Sequence, residues 1–174
     1  NASNFTLFNL SGAVATGEQV AELLMGLRQY QPNVHLTHFD LSGNVINTES
    51  GMTALFDAFR NVTQSAPPGQ GIQMLNLSNN NMGFIDDSST LVLGTNLADL
   101  TELQALDLSG NYIGYRGDDG TIAIGESLQY LTQLQTLDLS QNQIGARGTS
   151  TTLNFLQNGI GDADTGTQAI GESL

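Results

Sequence analysis

Apolar residues recur at fixed intervals along this chain of 174 residues. The two clearest copies read Leu-Gln-Ala-Leu-Asp-Leu-Ser-Gly-Asn-Tyr-Ile-Gly at 103–114 and Leu-Gln-Thr-Leu-Asp-Leu-Ser-Gln-Asn-Gln-Ile-Gly at 134–145. Weaker copies share this register, and the central apolar residues of the five copies are Phe8, Phe39, Leu75, Leu106 and Leu137. They are separated by 31, 36, 31 and 31 residues. A period of this size indicates one supersecondary unit stacked on copies of itself.

Each copy predicts a short strand followed by a helix. Leu106 and Leu108 alternate with Asp107, so one face of the strand is apolar and the other is polar. Apolar residues then follow at helical spacing, at Val20, Leu24 and Leu27, at Ala54, Leu55, Ala58, Phe59 and Val62, at Leu93, Leu97 and Leu100, and at Ile124, Leu128 and Leu131. The five extra residues of the second interval fall around the turn-forming segment 65–71, which predicts a longer loop there.

An asparagine stands three residues after the second apolar residue of the strand in four copies. These residues are Asn44, Asn80, Asn111 and Asn142, and the first copy has Ala13 at this place. A side-chain amide carries both donors and an acceptor. A column of stacked asparagines is therefore expected to satisfy backbone groups where the chain leaves each strand.

The motif Leu-x-x-Leu-x-Leu-x-x-Asn-x-Ile-Gly resembles the leucine-rich repeat family. The long period and the helical segments look most like its ribonuclease-inhibitor-like subclass. The resemblance implies an α/β fold: a curved solenoid of five to six repeats, with a parallel β-sheet on the concave side and helices on the convex side. We interpret residues 1–174 as a single array of this kind.

The C-terminal part departs from the regular period. Residues 153–161 match 137–145 at an offset of only 16, which predicts either a further strand in a shortened repeat or an insertion on the convex side. The pattern stops inside a helical segment, so we expect a fragment, or an array that is incomplete at its C-terminal end. An uncapped solenoid end exposes apolar core, which a partner chain or a second copy would cover.

The charge balance is strongly acidic, at −13, with 17 acidic residues, four arginines and no lysine. Nucleic acid and anionic membrane surfaces are unfavourable partners, because both require clustered cations. No stretch is long and apolar enough to predict membrane insertion. The absence of cysteine excludes disulfides, thiol catalysis and zinc-thiolate sites. The composition leans towards a secreted or cell-surface bacterial protein and leaves the cytoplasm open.

The exposed strand positions form the predicted binding face. Asp40, Asp107 and Asp138 lie between the two apolar residues of their strands, and Asp107 should face Asp138 as a like charge. Such a pair would accept a partner's cation. The alternative interpretation, which the sequence favours, is that these polar residues and the following serines merely solvate the sheet, since hot-spot residues are absent. The more variable positions of this face are His38, Met74 and Thr136.

Arg116 and Arg147 occupy the same place in successive repeats and are candidate partner contacts. They are expected to stack beside Asp118 and Asp119, which could pair with them. The sequence holds no nucleophile elbow, phosphate loop or paired-histidine metal motif, so we predict no enzymatic activity, no cofactor and no metal site.

Two functional hypotheses remain. The first is a non-enzymatic protein–protein interaction scaffold that uses the concave sheet and adjoining turns; this rests largely on the resemblance. The second is a structural surface or filament subunit that assembles head-to-tail through its solenoid ends.

Overall fold

Five short parallel strands form one sheet in a computed structural model that describes residues 7–32, 34–63, 66 and 69–144. The strands are β1 (Leu7–Asn9), β2 (His38–Asp40), β3 (Met74–Asn76), β4 (Ala105–Asp107) and β5 (Thr136–Asp138). They follow one another in chain order across the sheet. The predicted central residues Phe8, Phe39, Leu75, Leu106 and Leu137 are register partners on neighbouring strands. The predicted stack of repeats is therefore confirmed over these five copies.

A helix follows each of the first four strands. The helices are α1 (Gly17–Tyr30), α2 (Glu49–Thr63), α3 (Ser88–Leu97) and α4 (Asp119–Leu128). Helix α1 begins with a capping box, in which the Thr16 hydroxyl accepts from the Gln19 backbone and the Gln19 side chain accepts from the Thr16 backbone. Leu100 and Leu131 lie beyond the ends of α3 and α4, so the predicted helical stripes are slightly too long. Both residues are nevertheless buried, because the chain turns back over the core.

The extra residues of the second interval lie in more than one element. Ten residues join α2 to β3, whereas seven join α1 to β2. Helix α2 has 15 residues and α1 has 14. The predicted insertion in the loop thus accounts for most of the extra length, although 64, 65, 67 and 68 lie outside the described residues.

The core lies between the sheet and the helices, with one layer from each repeat. Phe39, Phe56 and Phe59 are almost fully buried and are its largest side chains. The ring of Phe59 lies 4.9 Å from that of Phe39 and 5.6 Å from that of Phe56, both at steep angles. Such edge-to-face pairs add to the stabilisation that burial gives. None of the helices in the described ranges is both long and apolar enough to cross a bilayer.

The predicted asparagine column is present. Asn80 donates from Nδ2 to the carbonyls of Leu41 and Leu77, at 2.9 and 3.0 Å. Its Oδ1 accepts the backbone N–H of Ile46 at 3.2 Å. Asn44, Asn111 and Asn142 make equivalent bonds to their own and the preceding repeat. Each asparagine therefore joins two repeats, and the carbonyls of Leu41, Leu77 and Leu108 each accept from the asparagines of two neighbouring repeats.

Candidate interaction surface

The central residue is buried in β2 to β5 and half-buried in β1, and each strand turns its two flanking residues towards the sheet face predicted as concave, called the open face here. The register aligns the flanking residues into two rows. The mixed row is Leu7, His38, Met74, Ala105 and Thr136, and the Asp/Asn row is Asn9, Asp40, Asn76, Asp107 and Asp138. Six of the eight residues proposed from the sequence as partner contacts lie in these rows.

The side chains of the Asp/Asn row are held by the backbone that follows them. The N–H of Ser42 donates to Oδ1 of Asp40 at 3.2 Å, and the N–H groups of Ser109 and Ser140 donate to Asp107 and Asp138 at 2.9 and 2.8 Å. Asn9 and Asn76 make the same contact with Ser11 and Ser78. These turns fix the direction of each side chain where its strand ends.

The serines themselves differ from the sequence prediction. They were expected to share the exposed face, but each follows the strand and closes a turn. Ser78 is buried, Ser42, Ser109 and Ser140 are half-buried, and only Ser11 of the five is exposed. The open face is therefore narrower than predicted, because hydrogen bonding to the Asp/Asn row bends the backbone away at this point.

Asp107 and Asp138 are register partners, as predicted. Adjacent parallel strands lie about 4.8 Å apart, so two carboxylates meet at this place. One oxygen of each is used by the turn, and no cationic side chain of the described residues is bound to the other. Asp40 is separated from this pair by Asn76, and its Oδ2 accepts from Nδ2 of Asn9 at 3.4 Å. The structure thus groups two of the three predicted carboxylates.

The variable residues of the mixed row are also divided. His38 and Met74 are register partners, whereas Thr136 lies two strands away from Met74, beyond Ala105. Nδ1 of His38 lies 2.8 Å from the hydroxyl oxygen of Thr37, which restrains the ring. Met74 is 41 % exposed and can contact a partner directly.

Arg116 lies on the connection from β4 to α4, away from the open face. Its Nε donates to the carbonyl of Phe84 at 3.1 Å, and its guanidinium lies 4.7 Å from the ring centre of Tyr115. Among the described residues it forms no ion pair with Asp118 or Asp119, so the predicted pairing is wrong for Arg116. The Phe84 carbonyl accepts a hydrogen bond from the guanidinium, and the Tyr115 ring faces it in a cation–π contact. Arg147 lies outside the described residues.

An aromatic cluster beside Arg116 was missed by the sequence analysis. The cluster consists of Phe84, Tyr112 and Tyr115, whose ring centres are 5.0 Å apart for Phe84 and Tyr112 and 6.1 Å apart for Tyr112 and Tyr115. Phe84 and Tyr115 are related by the 31-residue offset, so the repeat alignment could have revealed them.

Close stacking of two connections positions the aromatic cluster. The backbone N–H of Tyr112 donates to the carbonyl of Met82 at 2.7 Å. Gly83 has φ of +80°, and its backbone lies so close to that of Tyr112 that an added Cβ would be 2.4 Å from the Tyr112 carbonyl oxygen. Only glycine suits this left-handed and crowded position. Consecutive connections therefore pack backbone to backbone and direct their aromatic side chains outward.

A groove of about 640 Å³ is lined in part by Ile85, which follows Phe84 of the aromatic cluster in the chain. Its described lining includes Ile85, Asp86, Glu49 and Asp57 and no cationic residue. The hydroxyl of Ser88 donates to the Asp86 carboxylate, and this hydrogen bond lowers the pKa of Asp86 below its ordinary value. Asp86 therefore carries its negative charge at neutral pH. No set of three or more histidine, aspartate or glutamate side chains suited to a metal ion occurs in the described part of the chain.

Comparison with known families agrees with this architecture. A family model described as Leucine Rich repeat matches residues 33–53 and 130–150. No curated protein sequence matches the chain. Together with five parallel strands in one register, the two family matches support a leucine-rich repeat protein. Repeats of this family generally mediate protein–protein interaction, and its members are typically non-enzymatic scaffolds.

Proposed function

We propose that this protein is a non-enzymatic scaffold that binds a protein partner through the open face and the adjoining turns. Leucine-rich repeats generally serve protein–protein interaction, and the family matches support the class of function. The single observation that carries the choice of surface is the pair of adjacent carboxylates, Asp107 and Asp138. A basic side chain of the partner would relieve their repulsion and gain two charge-assisted hydrogen bonds.

Further parts of the proposal concern the kind of array and its location. We assign residues 1–174 to one array of the long-period, ribonuclease-inhibitor-like subclass, which the 31-residue interval and the helices of 10 to 15 residues support. The absence of lysine, with abundant Asn, Gln, Ser, Thr and Gly, supports a secreted or cell-surface protein.

The test compares two sets of substitutions in a partner-capture experiment. Replacing Asp107 and Asp138 by Asn keeps the turn-forming oxygens and removes the two charges. We expect the affinity to fall about tenfold or more, so that most of the captured partner is lost. The reason is that a few central contacts carry most of the binding energy of an interface. Glu22→Gln and Glu126→Gln, both exposed on helices, remove the same charge elsewhere and serve as the control. Equal capture by both variants would refute the open face as the binding site.

A second candidate function is head-to-tail assembly through the solenoid ends. It is favoured by incomplete burial in the first repeat, where Phe8 and Leu10 are half-buried while their equivalents Phe39 and Leu41 are fully buried. A non-closing contact of this kind would build filaments. Light scattering from low to high protein concentration tests it, since a mass that stays at 18.4 kDa throughout would eliminate assembly.

A further inference from the structure

We propose that the aromatic cluster and the acidic groove beside it form a docking surface for a cationic, extended segment of a protein partner, in which Arg or Lys alternates with aliphatic residues. The proposal rests on the proposed function, since it assumes a protein partner. It concerns a different surface, which lies on the strand-to-helix connections rather than on the open face.

Exposure of large apolar side chains is the first argument. Phe84 is 48 % and Ile85 is 59 % exposed, and they stand side by side in the connection from β3 to α3. Tyr115 is also exposed and reaches them through Tyr112. These rings contact one another at the surface and are not part of the buried core, which other residues form. Clustered, rigid aromatic side chains with an adjacent Arg are the composition that interface hot spots favour.

Charge is the second argument, and it decides the chemistry of the partner. Glu49, Asp57 and Asp86 line the groove, and Ile85 is shared between the groove and the apolar surface. Arg60 forms an ion pair with Asp57 at 2.9 Å, which leaves Glu49 and Asp86 as the main charges facing the groove. A cationic side chain placed in the groove would be favoured by this negative charge, and an apolar side chain beside it would meet Ile85.

One ring of the aromatic cluster already makes a cation–π contact. The guanidinium of Arg116 lies 4.7 Å from the ring centre of Tyr115. An arginine or lysine of the partner can contact the exposed ring of Phe84 in the same way, and such contacts gain strength as water is excluded.

The same charge balance excludes other occupants. A second copy of this chain would bring 17 acidic residues and only four arginines, with no lysine. Phosphate-bearing partners would meet the groove carboxylates as like charges. A basic segment of a different protein is the occupant that complements the surface.

The first experiment uses three synthetic eight-residue peptides and the full chain, with binding followed by fluorescence anisotropy at about 0.15 M salt, where long-range attraction is screened. We expect the alternating Arg–Leu peptide to bind about tenfold more tightly than the Arg–Ser peptide, because leucine covers the apolar cluster. A Glu–Leu peptide should not bind. Equal affinity for the Arg–Leu and Arg–Ser peptides, or absence of binding by the Arg–Leu peptide, would overturn the proposal.

The second experiment locates the site with matched variants. Phe84→Ala and Tyr115→Ala should each weaken binding of the Arg–Leu peptide about tenfold. Phe84→Ala retains the backbone carbonyl that accepts from Arg116, so loss of affinity reports the ring. Tyr130→Ala removes an exposed aromatic ring outside the cluster and should change affinity less than about twofold. Equal losses in all three variants would refute the site.

The two proposals fail separately. If the Asp107 and Asp138 substitutions reduce partner capture while Phe84→Ala and Tyr115→Ala leave peptide affinity unchanged, the open face stands and the docking surface is refuted. If the aromatic substitutions alone reduce peptide affinity and the aspartate substitutions leave partner capture unchanged, the docking surface stands without the open face.

Discussion

The first two described repeats differ from the next two in how many residues lie in the strand-to-helix connection and how many lie in the helix. Seven and eight residues connect β1 and β2 to their helices, which have 14 and 15 residues. Eleven residues connect each of β3 and β4 to helices of only ten. The longer connections carry the aromatic cluster into solvent. The comparison indicates that the repeated motif determines how the units stack. The number of residues in the connection, relative to the helix, determines which side chains each unit exposes.

Both pairs of repeats nevertheless share one linking device at the starts of their helices. In the first pair, the Ser50 hydroxyl donates to Oε1 of Glu18 at 2.7 Å. In the second pair, the backbone N–H of Gly120 donates to Oδ2 of Asp87 at 2.7 Å. In each case a carboxylate of one repeat accepts from the first turn of the next helix, where negative charge is favourable.

Asn80 joins the two pairs, and its loss is the largest effect we predict. Asn80→Ala leaves the buried N–H of Ile46 without its acceptor and removes one of the two amide donors from each of the carbonyls of Leu41 and Leu77. We expect a loss of about 4 kcal/mol in the free energy of unfolding, measured by urea denaturation. Asn61→Ala, on the exposed side of α2, is the control and should cost less than about 1 kcal/mol. Similar losses would show that the column does not couple the repeats.

The packed connections of the second pair can be tested with two glycines of equal backbone conformation. Gly83 and Gly69 both have φ of +80°, but only Gly83 lies against another backbone. Gly83→Ala should cost about 3 kcal/mol of unfolding free energy, from backbone strain and the clash with Tyr112. Gly69→Ala should cost about 1 kcal/mol, from strain alone. Thermal unfolding of both variants measures the difference, and equal costs would mean that the connections are not closely stacked.

The smallest effect concerns the exposed link of the first pair. Donation from Ser50, together with the backbone N–H of Glu18 itself, lowers the pKa of Glu18 below its ordinary value. Because the folded pKa is depressed, this contribution to stability is present at neutral pH and is lost as pH falls through the folded pKa. Ser50→Ala should raise the pKa of Glu18 in an NMR titration and cost a few tenths of a kcal/mol at pH 7, since the group is exposed.

The control for Ser50→Ala is Thr53→Ala, which alters an exposed hydroxyl of the same helix that bonds to the Glu49 carbonyl instead. That substitution should leave the pKa of Glu18 unchanged. A Glu18 pKa that moves equally in both variants, or in neither, would contradict a specific link between the first two repeats.

The fold was predictable because its determinants repeat. The register of Leu75, Leu106 and Leu137 and the bonds of Asn44, Asn80 and Asn111 follow from short-range spacing that recurs in each unit. Helix ends were less predictable, since Leu100 and Leu131 keep the apolar spacing although the chain has already left the helix. Burial continues past the helix, and a hydrophobic pattern reports burial rather than backbone conformation.

The candidate surface was only partly predictable. The carboxylate pair follows directly from the register, whereas neither the burial of Ser78 nor the bond from its N–H to Asn76 follows from the spacing. The aromatic cluster differs between repeats, with Tyr112 and Tyr115 in one and only Phe84 in the other. A search for repeated patterns finds the positions that are identical between repeats. It therefore overlooks contacts between neighbouring repeats at positions where their residues differ.

The most direct test of the whole account is an NMR measurement of nuclear Overhauser contacts between the backbones of Leu75, Leu106 and Leu137. The structure places Leu75 beside Leu106, and Leu106 beside Leu137, on parallel strands. We expect inter-strand contacts for both neighbouring pairs in the parallel pattern, and none between Leu75 and Leu137. Absence of the two neighbouring contacts, or an antiparallel pattern, would contradict the stacked repeat and both surfaces derived from it.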